Sequence, residues 1–175
     1  IALIGLSEIR NASYKISEAN CADLVRQKLY ALKRHQNRLA IADLGNLKNG
    51  NTVQDTYAAI AMICSELIRV QIVPVIIGGS HDNTFGQYCA YKQLAQIINI
   101  ANVDSVFDLG ESGETINSNS FIGRIIMEQP NYLFNYSHLG HQVYFVGDDA
   151  VEKMNKLYFD TYRLGQIRAD ITETE

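Results

Sequence analysis

Short apolar segments alternate with amphipathic segments along most of the chain. Apolar runs bounded by polar residues or glycine predict strands at residues 1–6, 38–45, 72–77, 96–104, 131–137 and 141–147. Apolar residues at helical spacing predict helices at residues 17–35, 51–70, 83–94, 120–128 and 149–168, with a long polar loop at 105–119. Because strands alternate with helices, we expect an α/β domain in which three layers, αβα, surround a mostly parallel sheet.

The segment from 51 to 70 carries the strongest helix signal. Thr52 and Asp55 have the spacing of a capping box at its start. Its apolar positions fall on one stripe of a helix: Val53, Tyr57, Ile60, Ala61, Cys64, Leu67 and Ile68. We therefore expect one face of this helix to lie in the core.

Polar side chains follow several of the predicted strands. In parallel α/β sheets, functional groups lie just beyond the carboxyl ends of the strands. This rule selects five residues, in chain order Asp43, His81, Asp82, Asp104 and Asp108. A nucleotide site is not indicated, because the chain has neither a GxGxxG turn after its first strand nor a GxxxxGK[ST] motif. Asp43 is interpreted as a cap of the turn that follows it.

Composition narrows the functional classes. The 175 residues are enough for a single domain over 1–175, and 47% apolar and 19% charged residues are typical of soluble globular proteins. A net charge of -4 disfavours nucleic acid as a partner. No membrane span is predicted, because no run of about 18 apolar residues occurs. The three cysteines lack a CxxC motif and are expected to be reduced thiols of a cytoplasmic protein.

Two motifs resemble those of the ureohydrolase family, which comprises arginases, agmatinases and formimidoylglutamases. Gly-Gly-Ser-His at 78–81 is similar to the family's Gly-Gly-Asp-His. Asp-Ser-Val-Phe-Asp at 104–108 is similar to its Asp-Ala-His-x-Asp. In the family these two motifs and a later Asp-x-Asp bind two manganese ions. The resemblance covers most of the chain and implies an arginase-like fold.

The resemblance implies a role for individual residues. His81 matches the histidine ligand of the first manganese, Asp104 the aspartate that bridges both ions, and Asp108 the second aspartate on the first ion. Asp82 follows the ligand histidine and is expected to orient it by accepting a hydrogen bond. Val106 stands where the family has the histidine ligand of the second ion. No catalytic residue is assigned.

The departures from the family pattern bear on activity. The later Asp-x-Asp has no counterpart in the sequence, and the family's substrate-side histidine is replaced by Asn119, Ser120 and Phe121. The resemblance implies Mn²⁺, held weakly or not at all, and a small guanidino or formimidoyl substrate hydrolysed at a C–N bond. The chain would then be the N-terminal part of a longer hydrolase and inactive as it stands. The alternative is a metal-free pseudoenzyme that serves as a binding or scaffold protein.

The predicted sheet leads to expectations about geometry and assembly. The side-chain tips of His81, Asp104 and Asp108 are expected within roughly 6 to 8 Å of one another. An incomplete sheet would leave an open edge at its last strand, so we expect a homo-oligomer or another edge-protecting contact. His138 and His141 flank Gly140 and fit either strand-edge histidines, the interpretation we favour, or metal ligands.

Overall fold

A computed structural model describes residues 1–13, 21–33, 39–111 and 115–172. Strands and helices alternate strictly in these ranges: β1 Ala2–Leu6, α1 Cys21–Tyr30, β2 Ala42–Leu47, α2 Val53–Arg69, β3 Pro74–Gly78, α3 Asn83–Gln93, β4 Ile98–Val103, α4 Phe121–Met127, β5 Leu133–His141, α5 Asp148–Lys156, β6 Asp160–Arg163 and α6 Leu164–Thr172. None of these helices is long and apolar enough to cross a membrane. Parts of the predicted helix 17–35 lie outside the described residues.

Two parallel sheets organise the described residues. One has the strand order β2-β1-β3 and the other the order β4-β5-β6. Every pairing between neighbouring strands is parallel, as expected when a helix follows each strand. The predicted α/β class with parallel strands is therefore confirmed, although the strands pair in two sheets of three rather than in one.

Strands β3 and β4 each have one open edge next to the candidate site. It is the edge of β3 that does not face β1 and the edge of β4 that does not face β5. β3 pairs with β1 and β4 pairs with β5, but these two strands, consecutive along the chain, do not pair with each other. Within the described ranges, each therefore keeps one edge without a strand partner. Helix α3 connects the two strands and packs against α2. An open edge was expected at the last strand, and the structure adds these two.

The core consists of two apolar clusters. The first joins α2 and α3 to β1 through Leu6, Ile60, Cys64 and Ala90. The second joins α3, α4, α5 and β5: Tyr88, Phe107, Phe121, Ile122, Ile125, Tyr136 and Met154. The capping box of α2 forms as predicted, because Thr52 accepts from the Asp55 amide while the Asp55 carboxylate accepts from the Thr52 amide. These clusters hold the helices against the strand ends that carry the candidate site.

The C-terminal third departs from the predicted elements. The segment 131–147 was predicted as two strands, but only Leu133–His141 forms a strand, and residues 142–147 form a turn and loop. The prediction was wrong here because it took apolar residues to be buried, whereas Tyr144 is 91% exposed. The predicted helix 149–168 is interrupted by β6, and the chain reverses at Tyr158, which has a φ of 56°. Neither Gly nor Pro marks that reversal in the sequence.

Helix α1 and strand β2 also differ from their predicted patterns. Arg26 is buried on α1, whereas its apolar neighbour Val25 is exposed. The Arg26 guanidinium donates to both carboxylate oxygens of Asp43 and to the Gly45 carbonyl. Asp43 therefore lies inside β2 and holds α1 against that strand. It also accepts from the Gly45 amide two residues later, as its interpretation as a cap of the following turn predicts. Hydrogen bonds from Tyr30, the Gly45 amide and Arg26 lower the pKa of Asp43 to about 2.

Candidate metal centre

His81, Asp104 and Asp108 meet where β3 and β4 end. His81 lies in the turn between β3 and α3, and the two aspartates lie in the turn after β4. His81 Nδ1 is 3.3 Å from Asp104 Oδ2 and 3.3 Å from Asp108 Oδ2. The ligand atoms of the three side chains all lie within 4.8 Å of one another. The structure thus brings together the three predicted residues, more closely than the predicted separation.

The turn that carries His81 is built on glycine and on a buried backbone contact. Gly78 and Gly79 have φ of 92° and 78°, a region that other residues rarely adopt. The Glu8 carbonyl, from the loop after β1, accepts hydrogen bonds from the Ser80 amide and hydroxyl and from the Asn83 side chain. The loop after β1 therefore fixes the position of the turn that carries His81.

Glu8 is a residue of this site that sequence reasoning missed. Its side chain is fully buried. Burial alone would raise the pKa of Glu8, but hydrogen bonds from Arg10 and Thr56 outweigh it and lower that pKa. Arg10 also donates to the Gly50 and Asn51 carbonyls, so the Glu8–Arg10 pair joins the loops after β1 and β2. A lone Glu-x-Arg in a loop carries no sequence signal for this arrangement.

Asp108 has an unusual backbone and surroundings. Its φ is 51°, in the left-handed region that Asp tolerates better than most residues. Its carbonyl accepts from the amides of Ile122 and Gly123 in the first turn of α4. A Cβ on Gly123 would lie 1.9 Å from the Leu109 carbonyl oxygen, so only glycine allows α4 to approach this closely. Burial raises the pKa of Asp108, and the contact with His81 offsets this only in part.

Asp104 is held through its backbone and through one carboxylate oxygen. Its amide donates to the Leu139 carbonyl, and its own carbonyl accepts from His138 Nε2. Its Oδ1 accepts from the amide and hydroxyl of Ser105. Oδ2 is left facing His81. The hydrogen bond with Asp108, opposed by burial, raises the pKa of His81.

Asp82 does not take the role expected of it. Its carboxylate is buried and accepts a short hydrogen bond from the hydroxyl of Tyr57 on α2, and no bond to His81 occurs among the described contacts. Burial and then this hydrogen bond raise the pKa of Tyr57. Asp82 therefore joins the start of α3 to α2, and the partners of the His81 ring are the two aspartates instead.

His138 and His141 are buried in β5 rather than placed at an exposed strand edge. Burial lowers the pKa of both imidazoles. His138 uses both ring nitrogens, with Tyr136 and with the Asp104 carbonyl. His141 Nδ1 has no hydrogen-bond partner among the described atoms. Neither histidine belongs to the cluster around His81, so the structure gives no support to a metal site at this pair.

The cluster suits a small divalent cation. Adjacent ligands of an octahedral cation with bonds of about 2.1 Å lie about 3 Å apart, close to the 3.3 Å from His81 Nδ1 to each carboxylate oxygen. Asp108 Oδ1 is buried and has no hydrogen-bond partner in the described part of the chain. A bound cation would satisfy such an acceptor. One imidazole and two carboxylates match the preferences of Mn²⁺.

An open pocket of about 930 Å³ leads to this cluster. Its wall includes Val106, whose side chain offers no ligand, and Lys153 from α5 lines its rim. Of the three residues that the resemblance places at the family's substrate-side histidine, Asn119 lines the pocket, while Ser120 and Phe121 are buried. The pocket therefore places a polar amide and a cation within reach of a small ligand.

Curated proteins with similar sequences are formimidoylglutamases. The enzyme of Streptococcus gordonii is 26% identical over 156 residues, which cover 81% of this chain and 47% of that protein. The enzyme of Staphylococcus aureus is 27% identical over 110 residues, which cover 61% of this chain and 35% of that protein. The chain thus spans about half or less of the length of these relatives.

Solved structures with the same fold come from related enzymes. Trypanosoma cruzi formiminoglutamase with Mn²⁺ superposes with a TM-score of 0.83 at 16% identity, covering 96% of this chain and 61% of that one. Formimidoylglutamase from Bacillus subtilis superposes with a TM-score of 0.82 at 16% identity, covering 96% and 56%. The arginase-like fold is confirmed, and this chain is short relative to both structures.

A sequence model of the arginase family covers nearly the whole chain. It matches residues 2–173, a range that includes both strand-end motifs and every described strand. This match, the formimidoylglutamase relatives and the shared fold agree with one another. The chain is therefore a divergent member of the arginase family.

Proposed function

We propose that this chain carries a one-cation remnant of a two-manganese centre. The protein to which it belongs would be a Mn²⁺-dependent hydrolase of C–N bonds in formimidoyl or guanidino compounds, and these 175 residues would not turn over substrate. The observation that carries the proposal is the convergence of His81, Asp104 and Asp108, whose ligand atoms lie within 4.8 Å of one another, while the other oxygen of Asp108, Oδ1, is buried and without a partner among the described atoms.

Formimidoyl compounds are the preferred substrate class. The curated relatives at 26% and 27% identity are both formimidoylglutamases, and family membership extends the class to guanidino compounds. Hydrolysis of a formimidoyl group adds water across its C–N linkage and releases an amine and formamide. A pocket of about 930 Å³ is large enough for an amino-acid derivative of this kind.

Each residue has a distinct part in this proposal. A bound Mn²⁺ would lower the pKa of a coordinated water and so supply a nucleophile at neutral pH. His81, Asp104 and Asp108 would hold that ion, and the burial of Asp108 would limit the access of bulk water to it. Val106 offers no ligand, so a second ion would lack the imidazole that the family supplies. With one ion held by three side chains, binding would be weak and exchange fast.

Val106 also supports a second candidate function. A family member that has lost a metal ligand can persist as a metal-free protein that binds a small molecule or another protein. In that case the pocket beside Val106 would bind its ligand without hydrolysis and independently of Mn²⁺. The two candidates differ in whether Mn²⁺ binds to the cluster at all.

A Mn²⁺ titration followed by electron paramagnetic resonance separates the two functions. We expect one weak site in the purified chain, and His81→Ala and Asp104→Asn should each weaken it by at least about tenfold. Asp149→Asn is the matched control, because Asp149 also lines the pocket but is exposed, pairs with Lys153 and is not one of the three cluster residues. Equal binding by all four proteins, or no binding by any, would favour the metal-free alternative.

A further inference from the structure

An uninterrupted hydrogen-bond chain runs through the interior of the second sheet to the backbone of Asp104. The Asn102 side-chain amide donates to the Tyr136 hydroxyl over 3.1 Å. That hydroxyl is 2.9 Å from His138 Nδ1, and His138 Nε2 is 3.0 Å from the Asp104 carbonyl oxygen. Tyr136 and His138 are both fully buried, so water does not substitute for these partners.

The chemistry of the partners fixes the direction of every bond. A carbonyl oxygen only accepts, so His138 must carry its proton on Nε2. Nδ1 of the neutral ring is then an acceptor, and the Tyr136 hydroxyl donates to it. The same hydroxyl accepts from Asn102, which uses its remaining capacity. This series of hydrogen bonds is thus consistent with a single tautomer of His138. The direction of each bond fixes the direction of the next.

The imidazole also contacts the turn that carries the two aspartates. The ring of Phe107 meets that of His138 edge-on, with centroids 4.8 Å apart and planes at 90°. Phe107 lies between Val106 and Asp108, so His138 touches this turn at two points, the Asp104 carbonyl and the Phe107 ring. Because Ser105 occupies Asp104 Oδ1, fixing the backbone of Asp104 directs Oδ2 towards His81.

We propose that His138 is a positioning residue for the turn from Asp104 to Asp108, which it holds so that Asp104 Oδ2 faces the cation site. The proposal rests on the proposed function, since it concerns the geometry of that site. A buried histidine with a purely structural role would stabilise the whole domain and leave the site unaffected. A positioning role makes the ligand geometry depend on the Nε2 proton specifically.

Two substitutions at the same position separate these roles. In His138→Gln, the side chain is long enough to carry an amide N–H to the place of Nε2. In His138→Asn, it ends near Nδ1 and leaves the Asp104 carbonyl without its donor. Both replacements bury a side-chain amide in the same cavity. The energetic cost of burying that amide is therefore common to both and does not explain a difference between them.

The metal-free protein gives the first readout. ¹⁵N spectra of the wild type should show the proton of His138 on Nε2. In His138→Asn, the amides of Asp104 and Gln142, which bond to Leu139 and Ser105, should exchange at least about tenfold faster relative to the amides of β1. A proton on Nδ1, or the same acceleration in both sheets, would overturn the proposal.

Mn²⁺ affinity gives the second readout. The dissociation constant should rise about 10- to 100-fold in His138→Asn, and by about threefold or less in His138→Gln. Equal affinity of the Asn and wild-type proteins would overturn the positioning role. If the wild type binds no Mn²⁺ at His81, the proposed function fails, and the tautomer and the exchange rates of the metal-free protein still decide the role of His138.

Discussion

At the scale of single residues, the site is defined by how its carboxylates are held. Asp108 is buried, has a left-handed backbone and leaves Oδ1 unpartnered among the described atoms, while Asp104 presents only Oδ2. The motifs were sufficient to predict that His81 and these aspartates meet. They did not reveal the supports, because Glu8, Tyr57 and His138 lie far away in sequence and act through buried bonds without a motif.

Val106 gives the first prediction at this scale. The substitution Val106→His should not produce turnover of arginine, agmatine or formimidoylglutamate by this chain with saturating Mn²⁺. A single added imidazole leaves the second ion without the Asp-x-Asp carboxylates that the family uses, and the sequence has no such motif. Release of urea, ammonia or formamide measures the outcome. Turnover that is abolished by adding Asp104→Asn would contradict this account of the ligands.

At the scale of elements, close backbone contact fixes helix α4 to the turn that carries Asp104 and Asp108, which we call the ligand turn. The predicted strands and helices up to residue 128 were largely correct in their order and approximate position. In α2 the predicted apolar stripe is also the buried face, whereas in α1 Arg26 is buried and Val25 is exposed. Prediction failed after residue 140, where the apolar side chains of Val143, Tyr144 and Phe145 are exposed. It failed again at Tyr158, where the chain reverses without Gly or Pro and the following residues form β6, which pairs with β5. Periodicity reports apolar character, and only tertiary packing decides what is buried.

Gly123 tests the contact between α4 and the ligand turn. Gly123→Ala should lower the free energy of unfolding by about 1–3 kcal/mol, because the new Cβ would overlap the Leu109 carbonyl. Gly165→Ala in α6 is the matched control, since a Cβ there meets nothing within 4 Å. That change should be neutral or stabilising by up to about 1 kcal/mol. Urea unfolding measures both, and equal effects would show that α4 does not pack as described.

At the scale of the whole molecule, the two sheets leave the inner edges of β3 and β4 unpaired in the described residues. Val103, at the end of β4, is 81% exposed. The chain covers 56–61% of the related structures, so it is also short relative to its relatives. The sequence predicted an incomplete sheet from its motifs. It placed the opening at the last strand and did not predict the unpaired edges of β3 and β4, because the order of strands is a property of packing between distant segments.

Open strand edges predict self-association of this chain. We expect sedimentation velocity to show concentration-dependent dimers, because unpaired edges recruit further strands. Val75→Lys, which places a charge on β3, should shift the population towards monomer. Phe134→Lys is the control, because it replaces an exposed apolar residue on β5, which is paired on both sides. A strict monomer at high concentration, or equal effects of the two changes, would contradict association through the open edge.

The central claim is that His81, Asp104 and Asp108 together hold one cation. Anomalous diffraction at the manganese edge, from crystals soaked in Mn²⁺, tests this most directly. We predict one anomalous peak, of partial occupancy, within bonding distance of His81 Nδ1 and of one carboxylate oxygen from each aspartate. A fully occupied pair of peaks beside Val106, or strong manganese density elsewhere with none at this cluster, would contradict the account.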